Sequence, residues 1–227
     1  ELARLVLPPG HEADGKLRAI EASAVRASEL CRQMLAYAGK GRFVVEPMDL
    51  SALTEAMVPL LNISVARLAG LRLDLPRGLP LVAVDATQIR QIVMNLVLNA
   101  ADAISEGGGE IMLKTGVTSV TPDLLVQCVV GADLPAGDYV YLEVRDDGEG
   151  MTPEVLSRIF DPFFTTKFAG RGLGLAAVLG IVRGHGGALG VSSQPGAGST
   201  FRLLLPPAAT AAPEAAGPVP GMTGRWQ

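Results

Sequence analysis

The sequence contains few charged, cysteine or histidine residues, and each shortage excludes a class of function. Only 19% of the 227 residues are charged, and the formal net charge is −4. Without an excess of Lys and Arg, there is no basic surface to bind nucleic acid, so no nucleic-acid partner is expected. Cys31 and Cys128 have neither metal-site spacing nor the density of a disulfide scaffold, which favours a cytoplasmic location.

Long apolar runs and common catalytic signatures are missing as well. No hydrophobic stretch reaches the ~20 residues that span a bilayer, so we expect no membrane contact by this part of the protein. A phosphate loop of the form GxxxxGKS or GxxxxGKT does not occur. His11 and His185 are the only histidines, and neither lies in a hydrolytic triad pattern. We expect His185, in RGHGG, to cap or pack a helix end.

The pattern of apolar residues divides the chain into three regions. Residues 17–38 carry apolar and small side chains alternately three and four apart, and residues 1–7 can end an earlier helix that Pro8, Pro9 and Gly10 interrupt. Together they predict an all-α helical hairpin remnant over residues 1–41. Residues 42–207 mix helical patterns with short alternating strands, which predicts an α+β domain. Residues 208–227 are rich in Ala and Pro and are expected to form a linker or tail. Because the hairpin pattern begins truncated, we expect the chain to be part of a longer protein.

Within the α+β region, the periodicity assigns most segments to helices or strands. One helix is predicted to run to about residue 68, with Asp49 or Ser51 as its cap. Further helices are predicted over residues 88–106 and near residues 173–183. Strands are predicted over residues 71–75, 81–84, 111–117, 139–145, 188–193 and 199–205. The insertion between residues 117 and 139 contains Pro and Gly and receives no assignment.

The helix predicted over residues 88–106 carries a polar stripe beside its apolar face. Asn95, Asn99 and Asp102 belong to this stripe, and a spacing of four residues places the two asparagines one turn apart. Both can therefore face one ligand, and a carboxamide oxygen suits a hard cation such as Mg²⁺. Periodicity alone favours a solvated polar face, so both interpretations stay open.

Three clusters follow this helix. The strand before DDGEG ends at Asp146, whose carboxylate can accept from an amine, while Gly148 and Gly150 permit close approach to a flat ring. An ordinary acidic turn is the alternative. Three phenylalanines in FDPFFTTK suggest a lid anchored by apolar side chains, or a patch that fixes a surface loop. In GRGLGL, which leads into an apolar helix, free N–H groups can face an anion.

In this order, QIVMNLVLNAADA, VRDDGEGM, FDPFFTTK, GRGLGLA and GST resemble the nucleotide-binding motifs of histidine kinases in the GHKL ATPase superfamily. The resemblance implies a two-layer α/β sandwich of the GHKL (Bergerat) type that binds ATP and Mg²⁺. It also implies that residues 1–41 belong to a dimerisation and phosphotransfer hairpin, through which the parent protein forms a homodimer.

The resemblance assigns a role to each motif. Asn99 would ligate Mg²⁺, with Asn95 supporting it, and Asp146 would bind the adenine amine. Residues 151–171 would form the lid, and Thr200 would approach the adenine through water. Asp102 stands where some relatives carry a phosphate-binding Lys. The full nucleotide-binding set that we predict is Asn95, Asn99, Asp102, Asp146, Gly148, Gly150, Phe160, Lys167, Arg171, Gly172, Leu173, Gly174, Leu175 and Thr200.

Asn95 separates two branches of the superfamily. Hydrolytic members such as gyrase place a Glu there as a general base, whereas Asn cannot take a proton from water. The resemblance therefore implies transfer of the γ-phosphoryl group to a histidine, then to a response regulator or a fused receiver domain. That histidine is expected upstream of Glu1, so no catalytic residue is assigned here. The alternatives are a serine kinase of the anti-sigma type and a non-catalytic nucleotide-binding dimerisation module.

Overall fold

The structure, a computed structural model, describes residues 13–17, 20, 44–66, 68–104, 108–166 and 172–208. Residues 13–17 and 20 are helical, and the rest of the predicted hairpin lies outside the described residues, as do residues 209–227 of the predicted tail. Across the described ranges, no helix has both the length and the apolar character needed to cross a membrane.

Helices and strands alternate along the described chain. The helices are α1 (Leu50–Glu55), α2 (Val58–Val65), α3 (Ala86–Ala103), α4 (Pro122–Val126), α5 (Pro153–Leu156) and α6 (Gly174–Gly184). The strands are β1 (Glu46–Met48), β2 (Gly70–Asp74), β3 (Val82–Val84), β4 (Glu110–Val120), β5 (Gly137–Asp146), β6 (Ala188–Ser193) and β7 (Ser199–Leu205).

Five of these strands form one mixed sheet in the order β2-β4-β5-β7-β6. The β2 and β4 strands are parallel, and the remaining neighbours are antiparallel. A second, small sheet pairs β1 with β3. Because β5 and β7 are antiparallel, the last residue of β5, Asp146, lies at the same end of the sheet as the first residue of β7, Ser199. This end of the sheet carries the candidate site.

One face of the large sheet packs against helices. In β4, for example, Ile111, Leu113 and Thr115 alternate with more exposed residues and are buried, as period-two alternation requires. The apolar faces of α3 and α6 cover this surface, and their side chains join one continuous core. The arrangement confirms the predicted α+β class with two layers.

Two helix predictions need adjustment at their boundaries. The α3 helix begins at residue 86 rather than 88 because the Asp85 side chain accepts from the Thr87 and Gln88 N–H groups as an N-cap. The helix predicted to run to about residue 68 is divided into α1 and α2. Pro59, which has no N–H group, lies in the first turn of α2, where such a residue is tolerated.

The unassigned insertion contains α4 and covers part of the other sheet face. Leu125 is fully buried there beside Val120, Tyr139 and Leu204. The following segment pairs with the sheet edge, because Val129 donates its N–H to the Leu189 carbonyl at 2.8 Å. The strands on either side are longer than predicted, since the insertion extends their pairing to Val120 and Gly137.

Candidate functional site

A cavity of about 470 Å³ opens at the end of the sheet where β5 finishes. Its walls are α3, the segment after β5, and the start of α6. The lining residues are Asn95, Leu98, Asn99, Ala100, Asp102, Ala103, Asp146, Glu149, Gly150, Met151, Thr152, Val155, Ile159, Phe164, Thr165, Thr166, Gly172, Leu173, Gly174, Leu175, Ser199 and Phe201. This volume suits a ligand of nucleotide size.

The polar stripe of α3 forms one wall of the cavity. Asn95, Asn99 and Asp102 all line it, so the structure brings together the three stripe residues that the sequence singles out. Asn95 donates from Nδ2 to the Gly174 carbonyl at 3.4 Å, and this contact joins the stripe to the start of α6. The stripe at Asn95 therefore faces a neighbouring helix and the cavity, not bulk solvent alone.

Asp146 also lines the cavity and is only 3% exposed. One of its oxygens, Oδ1, accepts from the Gly148 N–H at 3.0 Å and from the Ser199 N–H at 3.2 Å. These two hydrogen bonds fix the orientation of the carboxylate at the junction of β5 and β7. A buried carboxylate in a fixed orientation can accept a hydrogen bond from an amino group of a ligand.

The glycines after Asp146 hold the loop in place through close backbone contacts. A Cβ on Gly148 would lie 2.5 Å from the Ala103 carbonyl oxygen, at the end of α3. Gly150 has φ of +65°, and a Cβ there would overlap the Gln194 carbonyl. Gly150 lines the cavity, whereas Gly148 packs against α3 outside the lining. The predicted contact of Gly148 with a ligand ring stays a prediction.

The predicted lid begins directly after this loop. Phe164 lines the cavity and lies under the Arg158 guanidinium, which is 4.4 Å from the ring centroid. Phe160, the residue that the sequence prediction names, packs against the hydrophobic core and does not line the cavity. Lys167 and Arg171 lie outside the described residues. Their predicted part in nucleotide binding stays a prediction.

The start of α6 forms the third wall. Leu173, Gly174 and Leu175 line the cavity, and Gly172 precedes them with φ of +63°. Leu173 is the N-cap residue but makes no capping hydrogen bond with its side chain. The first N–H groups of α6 therefore have no side-chain cap, and the positive end of the helix dipole is directed toward the cavity.

The structure places Ser199, not Thr200, in the cavity wall. Ser199 and Phe201 are buried on the inner side of β7, and Thr200 alternates to the opposite side. The signal that could have found Ser199 is this alternation, because Phe201, Leu203 and Leu205 mark the core-facing positions of the strand. Thr200 consequently lies outside the lining, and Ser199 is a site residue that the sequence reasoning missed.

The charged residues among the described lining are all acidic. They are Asp102, Asp146 and Glu149, and no Lys, Arg or His stands beside them in this part of the chain. An anionic ligand would therefore require helix N–H groups and a cation to balance its charge. The described residues also contain no group of three or more His, Cys, Asp or Glu arranged to hold a metal.

Comparison with known proteins gives the same picture. Residues 84–209, more than half of the chain, match the family described as histidine kinase-, DNA gyrase B-, and HSP90-like ATPase. The chain is 39% identical over 189 residues to sensor kinase CckA of Brucella abortus, covering 82% of this chain and 20% of CckA. It is 34% identical over 200 residues to sensor histidine kinase ZraS of Escherichia coli, covering 88% of this chain and 39% of ZraS.

Two solved structures extend the likeness to three dimensions. The structure of full-length ShkA in complex with AMPPNP has a TM-score of 0.67 at 25% identity, covering 91% of this chain and 41% of ShkA. The catalytic domain of histidine kinase ThkA has a TM-score of 0.56 at 25% identity, covering 74% of this chain and 99% of that domain. The chain spans less than half the length of CckA, ZraS and ShkA. It belongs to the histidine kinase-, DNA gyrase B- and HSP90-like ATPase family and contains an ATP-binding domain of the sensor histidine kinase type.

Proposed function

We propose that the cavity holds Mg-ATP and that the parent protein transfers the γ-phosphoryl group to a histidine outside the described residues. From that histidine, the phosphoryl group passes to an aspartate of a response regulator or a fused receiver domain. One observation carries the proposal: a buried carboxylate, Asp146, and the uncapped start of α6 both line one cavity. The first suits the amino group of a base and the second suits phosphate.

The Asp146 wall fits the adenine end of the nucleotide. The carboxylate accepts the exocyclic amine, and Gly150 lines the cavity beside it, held in place by its close approach to the Gln194 carbonyl. Ser199 donates its N–H to Asp146 and lines the cavity beside it. Guanine carries a carbonyl oxygen where adenine carries its amine, so this wall favours adenine.

The α6 wall fits the phosphate end. Free N–H groups of its first turn, from Gly174 onward, can donate to phosphate oxygens, and the helix dipole adds a favourable field. The Asn99 carboxamide oxygen is the residue best suited to ligate Mg²⁺, with phosphate and water supplying the other ligands. When bound, the ion neutralises negative charge on the phosphates, which the acidic lining cannot do.

The described residues favour transfer over hydrolysis. Asn95 contacts Gly174, which we propose lies at the phosphate end, and its carboxamide has no basic group that could take a proton from water. In the proposed transfer, an imidazole nitrogen attacks the γ-phosphorus, the bond to the bridging oxygen breaks, and ADP leaves. His185 is not that acceptor, because both of its ring nitrogens make internal hydrogen bonds. His11 lies outside the described residues.

The remaining parts of the proposal concern the parent protein. We infer a homodimer formed through residues 1–41, by analogy with the hairpin pattern in the sequence. We also infer a cytoplasmic location for this domain, because its two cysteines have neither metal-site spacing nor the density of a disulfide scaffold. No residue is assigned to a membrane or nucleic-acid contact.

Calorimetric titration of ATP and of inosine triphosphate, with and without Mg²⁺, tests the binding step. ATP should bind more tightly than the inosine analogue, which lacks the amine, and Mg²⁺ should strengthen the affinity. Equal affinities for the two nucleotides would contradict the role of Asp146.

A second experiment tests the transfer step. The chain is mixed with radiolabelled ATP and a longer polypeptide that includes its natural upstream segment but carries Asp146→Asn. Phosphate that is labile in acid and stable in base on the longer polypeptide is the expected result. Acid-stable phosphate would indicate a serine kinase instead, and no transfer despite ATP binding would indicate a nucleotide-binding regulatory module.

A further inference from the structure

A hydrogen bond joins α3 and α6 at the end of the helix pair that is far from the cavity. The backbone N–H of Asp85 donates to Nε2 of His185 at 3.0 Å. Nδ1 of His185 lies 2.9 Å from the Ile181 carbonyl oxygen. Because Nε2 accepts, this geometry assigns the ring hydrogen to Nδ1, which donates to Ile181. His185, the C-cap of α6, thus connects the last turn of that helix to the residue that begins α3.

The Asp85 side chain makes contacts in two other directions. Its Oδ1 caps α3 through Thr87 and Gln88, and its Oδ2 accepts from the Val44 N–H at 3.0 Å. Burial alone raises the pKa of this carboxyl, but the hydrogen bonds from Val44, Gln88 and Thr87, with His185 nearby, outweigh it and hold the pKa below its usual range. Asp85 therefore joins α3, α6 and the segment that leads into β1.

Strand β3, which ends one residue before Asp85, pairs on both edges with segments from the two limits of the domain. On one edge, Val82 pairs with Met48 of β1. On the other edge, Val82 pairs with Pro207, and the Ala208 N–H donates to the Leu81 carbonyl at 2.6 Å. A displacement of either flanking segment therefore acts on β3, and through it on Asp85.

The α3 and α6 helices are antiparallel, so the two ends of the pair have different contacts. Near the cavity, Asn95 donates to Gly174 at 3.4 Å, and at the other end Asp85 donates to His185. Between them, Gln88 lies two turns before Asn95 on the same face of α3. Its Oε1 is buried and has no hydrogen-bond partner in the part of the chain that the structure describes. Between the two helices, the buried Gln88 oxygen therefore forms no hydrogen bond that would hold α6 in register with α3. The described hydrogen bonds that can do so are those at the two ends of the pair.

We propose that His185 and Asp85 are positioning residues for the nucleotide site, because their hydrogen bond fixes the position of α6 along the axis of α3. Since α6 is a continuous helix of 11 residues, a shift at His185 moves its first turn relative to Asn99. Through Val44 and β3, the segments that flank the domain act on the same alignment. This inference rests on the proposed nucleotide function.

The first test compares three variants of the whole chain. His185→Phe keeps a ring but removes the acceptor, and His185→Gln restores an acceptor at a similar distance. Ser51→Ala is the matched control, because it removes a buried side-chain hydrogen bond of 2.7 Å to Thr115, away from the α3–α6 interface. Urea denaturation measures the stability of each variant, and calorimetry measures its affinity for ATP with Mg²⁺.

His185→Phe should bind ATP about threefold to tenfold more weakly, since fewer molecules hold the binding-competent alignment. His185→Gln should bind within about twofold of the natural chain, on the same basis. Ser51→Ala should lose stability without losing affinity. If His185→Phe lost stability but kept its full affinity, His185 would have only a structural role, and the proposal would be overturned.

A second readout needs no nucleotide, and so separates this proposal from the proposed function. In the free protein, the amide resonances of Gly174 and Leu175 should shift in His185→Phe, and return in His185→Gln. Failure of the natural chain to bind ATP would refute the proposed function and leave this measurement intact. Unmoved resonances at Gly174 and Leu175 would refute the positioning role even if ATP binds.

Asp85→Asn tests the hydrogen bond between the Asp85 side chain and the Val44 N–H. It also allows the proposal to be tested if His185→Phe does not fold. The Asn oxygen still caps α3, as Asn is a good N-cap residue, but an amide group replaces the oxygen that accepts from Val44. The Gly174 and Leu175 resonances should shift in the same direction as in His185→Phe. No shift would show that Val44 does not influence the helix alignment.

Discussion

The two ends of the α3–α6 pair differ in how many side-chain hydrogen bonds hold the helices together. At the far end, Asp85 accepts three backbone N–H groups, and His185 uses both ring nitrogens. At the cavity end, the pair is joined by one long hydrogen bond, from Asn95 to Gly174, and α6 has no side-chain cap. Saturated contacts at one end hold the helices, so donors at the other end can remain available for a ligand.

The largest effect on ATP affinity should come from the carboxylate at the cavity end. Asp146→Asn keeps one oxygen for the Gly148 and Ser199 N–H groups but replaces the other oxygen with a donor. The variant should therefore fold, yet lose roughly 100-fold in ATP affinity, because a buried donor would oppose the amine of adenine. Calorimetry measures the affinity, and circular dichroism controls for folding. A loss of less than about threefold would be inconsistent with contact between Asp146 and the base.

The loop beside Asp146 should be sensitive to a single methyl group. Gly150→Ala places a side chain at φ of +65° and against the Gln194 carbonyl, and should destabilise the protein by roughly 3 kcal/mol or more. Gly196→Ala is the matched control, since Gly196 has φ of +76° but nothing within 4 Å of its Cβ. It should cost about 1–2 kcal/mol from backbone strain alone. Equal losses in urea denaturation would show that the Gln194 contact is unimportant.

The two asparagines of α3 should differ in their effects. Asn99→Ala should reduce Mg²⁺-dependent ATP affinity about tenfold, because a ligand of the ion is removed, and should leave binding without Mg²⁺ nearly unchanged. Asn95→Glu should instead raise ATP hydrolysis more than it changes binding, because it introduces a possible general base. Affinity titrations with and without Mg²⁺ and a phosphate-release assay test these roles. If the two variants changed Mg²⁺-dependent affinity and hydrolysis in the same way, the separate roles of Asn95 and Asn99 would be contradicted.

The smallest effect should appear at the far end, as a dependence of stability on pH. Although burial alone raises the pKa of Asp85, hydrogen bonds from backbone N–H groups hold that pKa in the folded protein below its ordinary value of 3.8. Its contribution to stability is therefore fully present above about pH 4 and is lost as the pH falls through the folded pKa. Urea denaturation between pH 5 and pH 3 should show a steeper loss for the natural chain than for Asp85→Asn. If the stability of the two proteins fell equally with pH, Asp85 would not contribute to the acid sensitivity of the fold.

The sequence predicts the cavity end well where periodicity and local chemistry coincide. Asn95 and Asn99 on one helix face, and Asp146 at a strand end, follow from spacing and strand pattern, and the structure brings them to one cavity. The motifs single out Gly148 and Phe160, but they do not indicate that both residues pack away from the cavity, Gly148 against α3 and Phe160 against the hydrophobic core. Gly148 contacts Ala103, which is distant in the sequence. The packing of Phe160 depends on the path that its loop takes over the core.

The far end could not be derived from the sequence for a related reason. Asp85 and His185 are 100 residues apart, and their hydrogen bond exists only once α3 and α6 pack antiparallel. Local patterns predict that a helix begins near residue 88 and that His185 caps or packs another helix end, but they do not indicate that the two meet. The pairing of Pro207 with Val82 is likewise set by where β7 ends, not by any motif.

The central claim is that one nucleotide bridges the Asp146 wall and the start of α6. The most direct measurement is an NMR titration of the natural chain with Mg-ATP that follows the amides of Gly148, Ser199, Gly174 and Leu175. All four should shift along one binding curve, because the base and the phosphates belong to one ligand. Shifts confined to one wall, or two curves with different affinities, would contradict the account.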